Sequence, residues 1–144
     1  LMDLTLTGPG MFDLKNFFDY AIELDVKIET KRMFAFHPDI VMSAMAWPRH
    51  ILDRIIDDVL DYIRPRATHK QQTLIRELEG MKQSLTFQEQ WPNEAEDAFF
   101  KGRNWQDQIA NIRPDEKLRI EDIYKQDSEL YDWWMRIDRK HNQR

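Results

Sequence analysis

The beginning of the chain carries strand, turn and helix patterns in alternation, and this order restricts the fold more than any other feature. Residues 4–7 alternate apolar and β-branched side chains and end at a Gly-Pro-Gly triplet over residues 8–10. Residues 12–24 repeat apolar side chains at helical spacing, and residues 26–30 alternate again before an apolar run at 33–36. Two short strands joined by a helix predict a βαβ unit, with parallel strands and a right-handed crossover.

A βαβ unit of two strands is an incomplete sheet. Two parallel strands leave both edges unpaired and cover little apolar surface. We therefore expect the pair to belong to a larger sheet, completed by a preceding half of the protein or by a second copy in a homo-oligomer. The chain starts at Leu1 rather than Met, with strand-like residues almost at once, which favours an excised or truncated piece.

The rest of the chain is helical in pattern and predicts four to five helices after the βαβ unit. A short helix is expected over 39–46, a second from Pro48 to before Pro65, a third over 69–85 and a fourth over 94–112. Asp127 and Ser128 are plausible caps for a final helix. The predicted core residues are Leu14, Phe17, Phe18, Ala21, Ile22, Ile51, Leu52, Ile55, Ile56, Val59, Leu60, Ile63, Leu74, Leu78, Met81, Leu85, Phe99, Trp105, Ile109, Leu130, Trp133, Trp134 and Ile137.

The predicted fold class is therefore α+β and mostly α-helical. A βαβ unit occupies residues 1–36, and a helical tail over 37–144 packs on it within a single domain. The 42% hydrophobic and 33% charged residues support a globular chain rather than a disordered one.

Composition also limits the chemistry and the partners. The chain has no Cys, which excludes a thiol nucleophile, a disulfide and a cysteine-ligated metal centre. A net charge of −5 without a long basic run argues against nucleic acid as a partner. There is no apolar stretch of membrane-spanning length and no signal peptide, so we expect no membrane partner and a cytoplasmic location.

Two segments of the βαβ unit are candidate ligand sites. The loop with Gly8, Gly10 and Met11 lies between a strand and a helix, where backbone N–H groups can bind an anion or a nucleotide, and a plain structural turn is the alternative. Lys31 and Arg32 lie near the end of the second strand and are candidates for holding an anionic substrate. A solvated strand end is the alternative for this pair.

Other polar clusters have simpler explanations than chemistry. His50, Asp53 and Asp57 share a helical face and are possible metal ligands, but an exposed polar face with a helical ion pair is the preferred interpretation. Trp105 beside charged residues can stack a nucleobase, although burial in the core is preferred. We predict no catalytic residue and no metal ligand in this chain.

The longer sequence pattern resembles a known family. Residues 4–21 (LTLTGPGMFDLKNFFDYA) and 27–36 (KIETKRMFAF) resemble the last part of a radical S-adenosylmethionine barrel, of the twitch or SPASM type found in phage and marine bacteria. Residues 48–53 (PRHILD), 120–124 (IEDIY) and the pair Trp133-Trp134 resemble the helical tail of those proteins.

The resemblance implies a specific but incomplete site. The loop after the fifth strand of that barrel contacts the adenine side of S-adenosylmethionine, which points to Gly8, Gly10 and Met11. The cysteines that hold the catalytic [4Fe–4S] cluster, and those of the auxiliary clusters, are absent from this chain. The resemblance thus implies a C-terminal segment that is not catalytically competent alone, with S-adenosylmethionine and the cluster bound only together with an N-terminal barrel half. The alternative is a self-contained helical module for protein–protein interaction that can form a homodimer.

Overall fold

A computed structural model describes residues 1–33, 39–112 and 119–142 of the 144-residue chain. Strand β1 (Met2–Leu6) and strand β2 (Ile28–Arg32) form a two-stranded parallel sheet, and helix α1 (Leu14–Leu24) connects them. The register pairs Met2 with Ile28 and Leu6 with Arg32. The predicted βαβ unit is confirmed. Apart from Met33, the predicted continuation of the second strand over 33–36 lies outside the described residues.

Local backbone structure defines the start and the end of helix α1. A 3₁₀ turn (Pro9–Asp13) precedes α1, and α1 ends at Asp25, whose left-handed backbone (φ 52°) lets its N–H reach the carbonyls of Ala21 and Ile22. Asp is one of the few residues that tolerate this conformation, because its short polar side chain can form local hydrogen bonds. The cap turns the chain directly into β2.

The two faces of the sheet differ in chemistry. Side chains of the even-numbered residues of both strands, Leu6 and Ile28 among them, face the protein interior, and both of these are buried. The odd-numbered residues Asp3, Thr5 and Lys31 face the opposite side and are exposed. The sheet therefore has one face on the core and one polar face in contact with solvent.

The described part of the tail contains six further α-helices. Helices α4 and α6 are single turns that the sequence analysis did not predict, and the remaining helices confirm a mostly α-helical α+β chain. The helices are α2 (Arg49–Ile63), α3 (Gln72–Gln83), α4 (Phe87–Gln90), α5 (Ala95–Ile112), α6 (Ile120–Tyr124) and α7 (Ser128–Asn142). Capping boxes at Thr68 and Thr86 begin the segments that lead into α3 and α4.

One continuous apolar core joins the sheet to these helices. All seven apolar residues predicted for the stripe of α2 are buried, as are Trp133 and Trp134 of α7. The predicted cap is also present, because the Leu130 N–H donates to Asp127 Oδ1 (3.1 Å). Burial of large side chains, at roughly 1.5–3 kcal/mol each relative to exposure, is the main favourable contribution to this fold.

Three sequence predictions about the tail are wrong. Residues 39–46 form two 3₁₀ turns rather than a helix, because Ser43 is extended and its hydroxyl accepts the Met45 N–H. Leu85 follows an extended Ser84 that ends α3, so Leu85 lies beyond the buried stripe and is exposed. Trp105 and Ile109 are exposed, since α5 buries a different stripe.

Candidate functional site

The N–H groups of the loop that was predicted to contact a cofactor form hydrogen bonds within the protein itself. The Gly8 N–H donates to the Met42 carbonyl (2.7 Å), and the Met11 N–H donates to the Gly8 carbonyl (3.2 Å). The Gly10 N–H donates to Thr7 Oγ1 (3.0 Å). All three N–H groups therefore have partners within the chain, and this arrangement offers none of them to a ligand.

Gly8 is a point of close approach between the loop and the aromatic core. A Cβ atom at this position would lie 2.5 Å from Tyr124 Oη, 3.0 Å from the Met42 carbonyl oxygen and 3.4 Å from the Trp47 ring. Met11 is also enclosed, with 2% of its surface exposed. The geometry thus accounts for Gly8 and Met11 by packing, and their contact with a cofactor stays a prediction.

The structure does not bring the predicted anion-binding pair together. Lys31 lies on the solvent-exposed face of the sheet, and Arg32 lies on the opposite face. The Arg32 guanidinium forms an ion pair with Glu77 and donates to Ser84 Oγ (2.8 Å). It also lies against Gly80, where an added Cβ would be 2.7 Å from Arg32 Nη2. Arg32 therefore attaches β2 to α3, and Lys31 is the member of the pair that remains exposed.

The predicted polar face of α2 is divided among separate ion pairs. His50 Nε2 lies 2.9 Å from Glu129, Asp53 pairs with Arg49, and Asp57 pairs with Lys82. Each partner of His50 and Asp57 comes from another helix. Within the described ranges no group of three or more His, Asp or Glu side chains has a metal-binding arrangement.

The hydrogen bonds between the strands define which way β1 directs its peptide groups. The Met2 N–H donates to the Lys27 carbonyl (2.8 Å), and the Met33 N–H donates to the Leu6 carbonyl (3.0 Å). In a parallel pair, successive residues direct their peptide groups to opposite edges. The even-numbered residues of β1 therefore bond to β2, and the odd-numbered ones point away from it.

The outward edge of β1 has no partner within residues 1–33, 39–112 and 119–142. The peptide groups of Asp3 and Thr5 point along this edge, both residues are exposed, and no hydrogen bond is found for their N–H groups in the part of the chain that the structure describes. Unpaired N–H and C=O groups at a sheet edge are a template for another strand. This edge is the first component of the candidate site.

The other edge of the sheet is covered where β2 begins. The Thr73 hydroxyl donates to the Ile28 carbonyl, Gln71 Nε2 donates to the Val26 carbonyl (3.4 Å), and Lys70 Nζ donates to the Asp25 carbonyl (3.0 Å). Side chains of α3 and of the 3₁₀ turn before it thus occupy the start of this edge. Within the described ranges, no comparable side-chain hydrogen bond is found along the β1 edge.

Apolar side chains of α1 lie beside the open edge. Helix α1 contacts α2 on one flank, where Lys15 pairs with Asp58 (2.7 Å). Because α3 contacts both α2 and β2, this flank is on the β2 side. The opposite flank, which carries Phe17, Tyr20 and Leu24, is therefore on the β1 side.

The second component of the candidate site is this flank of α1. Tyr20 is 53% exposed and Leu24 is 49% exposed, and Phe17 is half-buried. We call Phe17, Tyr20 and Leu24 the α1 flank. The sequence contained a signal for it, because Tyr20 and Leu24 are apolar residues at i, i+4 spacing outside the predicted core stripe.

Two surface clefts are less suited to a specific ligand. One of about 430 Å³ lies between α5 and α7, with Phe99 and Trp133 among its walls. The other, of about 370 Å³, is lined by Met11 and by the Lys15–Asp58 and Arg54–Asp127 pairs, whose charges are already compensated. Both clefts have open mouths, and no set of free polar groups converges among their described lining residues.

A buried arginine is the most unusual polar group of the core, and sequence reasoning missed it. Arg103 is 4% exposed, donates to the Trp134 carbonyl, lies over the Trp134 ring (5.3 Å) and is 3.5 Å from Glu121. Glu121 also accepts from Trp134 Nε1 (3.1 Å). These contacts link α5, α6 and α7, so Arg103 has a structural role.

Comparisons with known proteins give no family for this chain. No family model, no curated protein and no solved structure matches it. No helix in the described ranges combines the length and the apolarity needed to cross a bilayer.

Proposed function

We propose that this chain is a protein–protein interaction module that accepts an additional strand at the open edge of β1. The observation that carries the proposal is the contrast between the two sheet edges. A side chain of α3 bonds to the Ile28 carbonyl at the start of β2, whereas Asp3 and Thr5 present peptide groups that have no partner within the described residues. Addition of a strand to such an edge is a recurrent mode of peptide recognition, in which main-chain hydrogen bonds supply affinity.

The α1 flank supports the same proposal. A strand added to a sheet edge presents alternate side chains to each face, so half of its side chains would face the core side of the sheet. On that side, Tyr20, Leu24 and Phe17 offer apolar surface beside the edge. The other half of its side chains would lie on the solvent-exposed face of the sheet, beside Asp3 and Thr5. The partner strand is therefore expected to alternate apolar and polar residues.

Thr5→Pro is the variant that tests the edge. Proline removes the Thr5 N–H, which bonds to nothing within the described chain, and prolines are tolerated on edge strands. Thr5→Val is the matched control, because it changes the side chain and keeps the N–H. Both variants are expected to unfold at nearly the same temperature as the wild type, which thermal denaturation checks.

The binding assay uses short extended peptides selected from a display library on the wild-type chain. The selected peptides are expected to bind Thr5→Val as tightly as the wild type and Thr5→Pro about tenfold more weakly, since one peptide carbonyl of the ligand loses its donor. Equal affinity for Thr5→Pro and the wild type would rule out the edge as the binding element. Failure of the library to yield any binder to a chain that is monomeric in the assay would contradict the proposal as a whole.

A second candidate follows from the resemblance. If the chain is a C-terminal segment of a radical S-adenosylmethionine protein, the open edge of β1 is where the preceding barrel strand would pair. The N–H groups of Gly8, Gly10 and Met11 would then have to change partners to contact the cofactor. The test is the coding sequence upstream of Leu1. An in-frame segment with C-x-x-x-C-x-x-C spacing supports this candidate, and its absence removes it.

A further inference from the structure

The open edge of β1 has the features of a self-complementary surface. Resting on the proposed function, we infer that its occupant is β1 of a second copy of this chain, paired antiparallel about a two-fold axis at Leu4. The two sheets then form one four-stranded sheet, in the order β2, β1, β1, β2. Two-fold dimers are the commonest homo-oligomers, and their interfaces use the same surface on both subunits.

The length of the strand favours a register centred on Leu4. Leu4 is the middle residue of Met2–Leu6, so this register pairs Met2 with Leu6 of the second copy and leaves no strand residue unpaired. It also places Asp3 opposite Thr5 of the second copy. The outward peptide groups of these two residues then meet in a hydrogen-bonded pair, while Leu4 occupies a non-hydrogen-bonded pair.

Charge on the solvated face favours the same register. Within one copy, Asp3 lies beside Glu29, and Thr5 lies beside Lys31. The Leu4-centred register puts the two carboxylates in line with Thr5 and Lys31 of the second copy. A register centred on Asp3 would instead align four carboxylates in one row across the sheet, and like charges directly opposite each other are destabilising.

The α1 flank becomes covered in this dimer. Opposed residues of an antiparallel pair lie on the same face of the sheet, so both copies of α1 lie on one side. With strands about 4.8 Å apart and each helix over the middle of its own pair, the two helices are about 10 Å apart, a normal packing distance. Tyr20 and Phe17 are one and two residues from Asp19, the middle residue of α1, so the two copies of this pair come close to each other near the axis.

Cysteine cross-linking tests the inference, because the chain contains no thiol of its own. In the Leu4-centred dimer the two Leu4 Cα atoms are about 4.5 Å apart, within the range that a disulfide bridges. The two Thr5 Cα atoms are about 8 Å apart, which is too far. Under mild copper–phenanthroline oxidation, Leu4→Cys is expected to give a covalent dimer at least tenfold faster than Thr5→Cys.

Two measurements that need no introduced cysteine make the test independent of the cysteine variants. Light scattering is expected to give a dimer for the wild type and for Thr5→Val, and a monomer for Thr5→Pro. Amide exchange at Asp3 and Thr5 is expected to slow on passing from dilute to concentrated samples. A monomer at millimolar concentration overturns the inference, and the peptide assay then decides the proposed function separately. A dimer in which Thr5→Cys cross-links as fast as Leu4→Cys refutes the register.

Discussion

Substitution of Gly8 by alanine tests whether the glycine loop is a packing element. The backbone at Gly8 is helical (φ −56°, ψ −58°), so alanine is compatible with it, and any cost comes from the added methyl group. That methyl group would lie 2.5 Å from Tyr124 Oη and 3.0 Å from the Met42 carbonyl oxygen, inside the contact distance of both atoms. Tyr124 and Trp47 are fully buried, so they cannot move away without disturbing the core.

The expected loss of unfolding free energy is about 1–3 kcal/mol, the usual cost of adding a methyl group to a filled core. For a chain of this size it corresponds to a fall in Tm of about 3–10 °C. Urea denaturation followed by far-UV circular dichroism measures it, and a lower midpoint with an unchanged slope identifies a change in stability alone. Gly10→Ala is the comparison variant, because its only close neighbour is the half-buried Thr7 side chain, which can rotate at the cost of one hydrogen bond from the Gly10 N–H.

A double-mutant cycle with Tyr124→Phe identifies the atom responsible. The Tyr124 hydroxyl is fully buried and makes no hydrogen bond of normal geometry in the described part of the chain, so burial raises its pKa, and the neighbouring Trp47 side chain offsets this only in part. Tyr124→Phe alone is therefore expected to be nearly neutral. It should reduce the cost of Gly8→Ala by about 1 kcal/mol, because it removes the nearest atom. A Gly8→Ala variant as stable as the wild type, or a cost that Tyr124→Phe leaves unchanged, would refute the reasoning.

Two further predictions concern the tail. The hydrogen bond from Arg54 lowers the pKa of Asp127 below its ordinary value of 3.8, so the carboxylate stabilises the fold above that value, and this contribution is lost as the pH falls through the lowered pKa. Urea denaturation of the wild type and Asp127→Asn should therefore give a difference in unfolding free energy that is constant above about pH 5 and shrinks below pH 3.8. A difference that does not change with pH would contradict the assignment. Trp105→Gln should change the unfolding free energy by less than about 0.5 kcal/mol, because Trp105 is 46% exposed, whereas Trp134→Ala should cost about 3–5 kcal/mol. Chemical denaturation compares the two, and a large loss for Trp105→Gln would place that side chain in the core.

Periodicity was sufficient where an element has a single apolar stripe. Helix α2 has one such stripe bounded by prolines, and all seven of its predicted core residues are buried. The βαβ unit was predictable for a related reason, since alternation and helical spacing follow each other without interruption. Local rules therefore identified these elements and the residues that they bury.

Periodicity failed where a helix has more than one candidate stripe. In α5, Trp105 and Ile109 lie roughly 120° around the axis from Phe99 and Arg103. The predicted core contained Phe99, Trp105 and Ile109, but of these three only Phe99 is buried, and Arg103 is buried beside it because the Trp134 carbonyl and Glu121 bind its guanidinium. Partners supplied by other helices decided this, and no local pattern contains that information.

The candidate site shows the same division. The sequence by itself determined that two parallel strands would leave edges to be covered, because hydrogen bonding in a strand pair is a local property of the pattern. Only the tertiary structure decided that α3 bonds to the start of β2, that Asp3 and Thr5 have no partner within the described ranges, and that Tyr124 packs against the loop at Gly8. The physical reason is that burial and hydrogen-bond satisfaction depend on which distant residues meet, and these contacts form only when the whole chain folds.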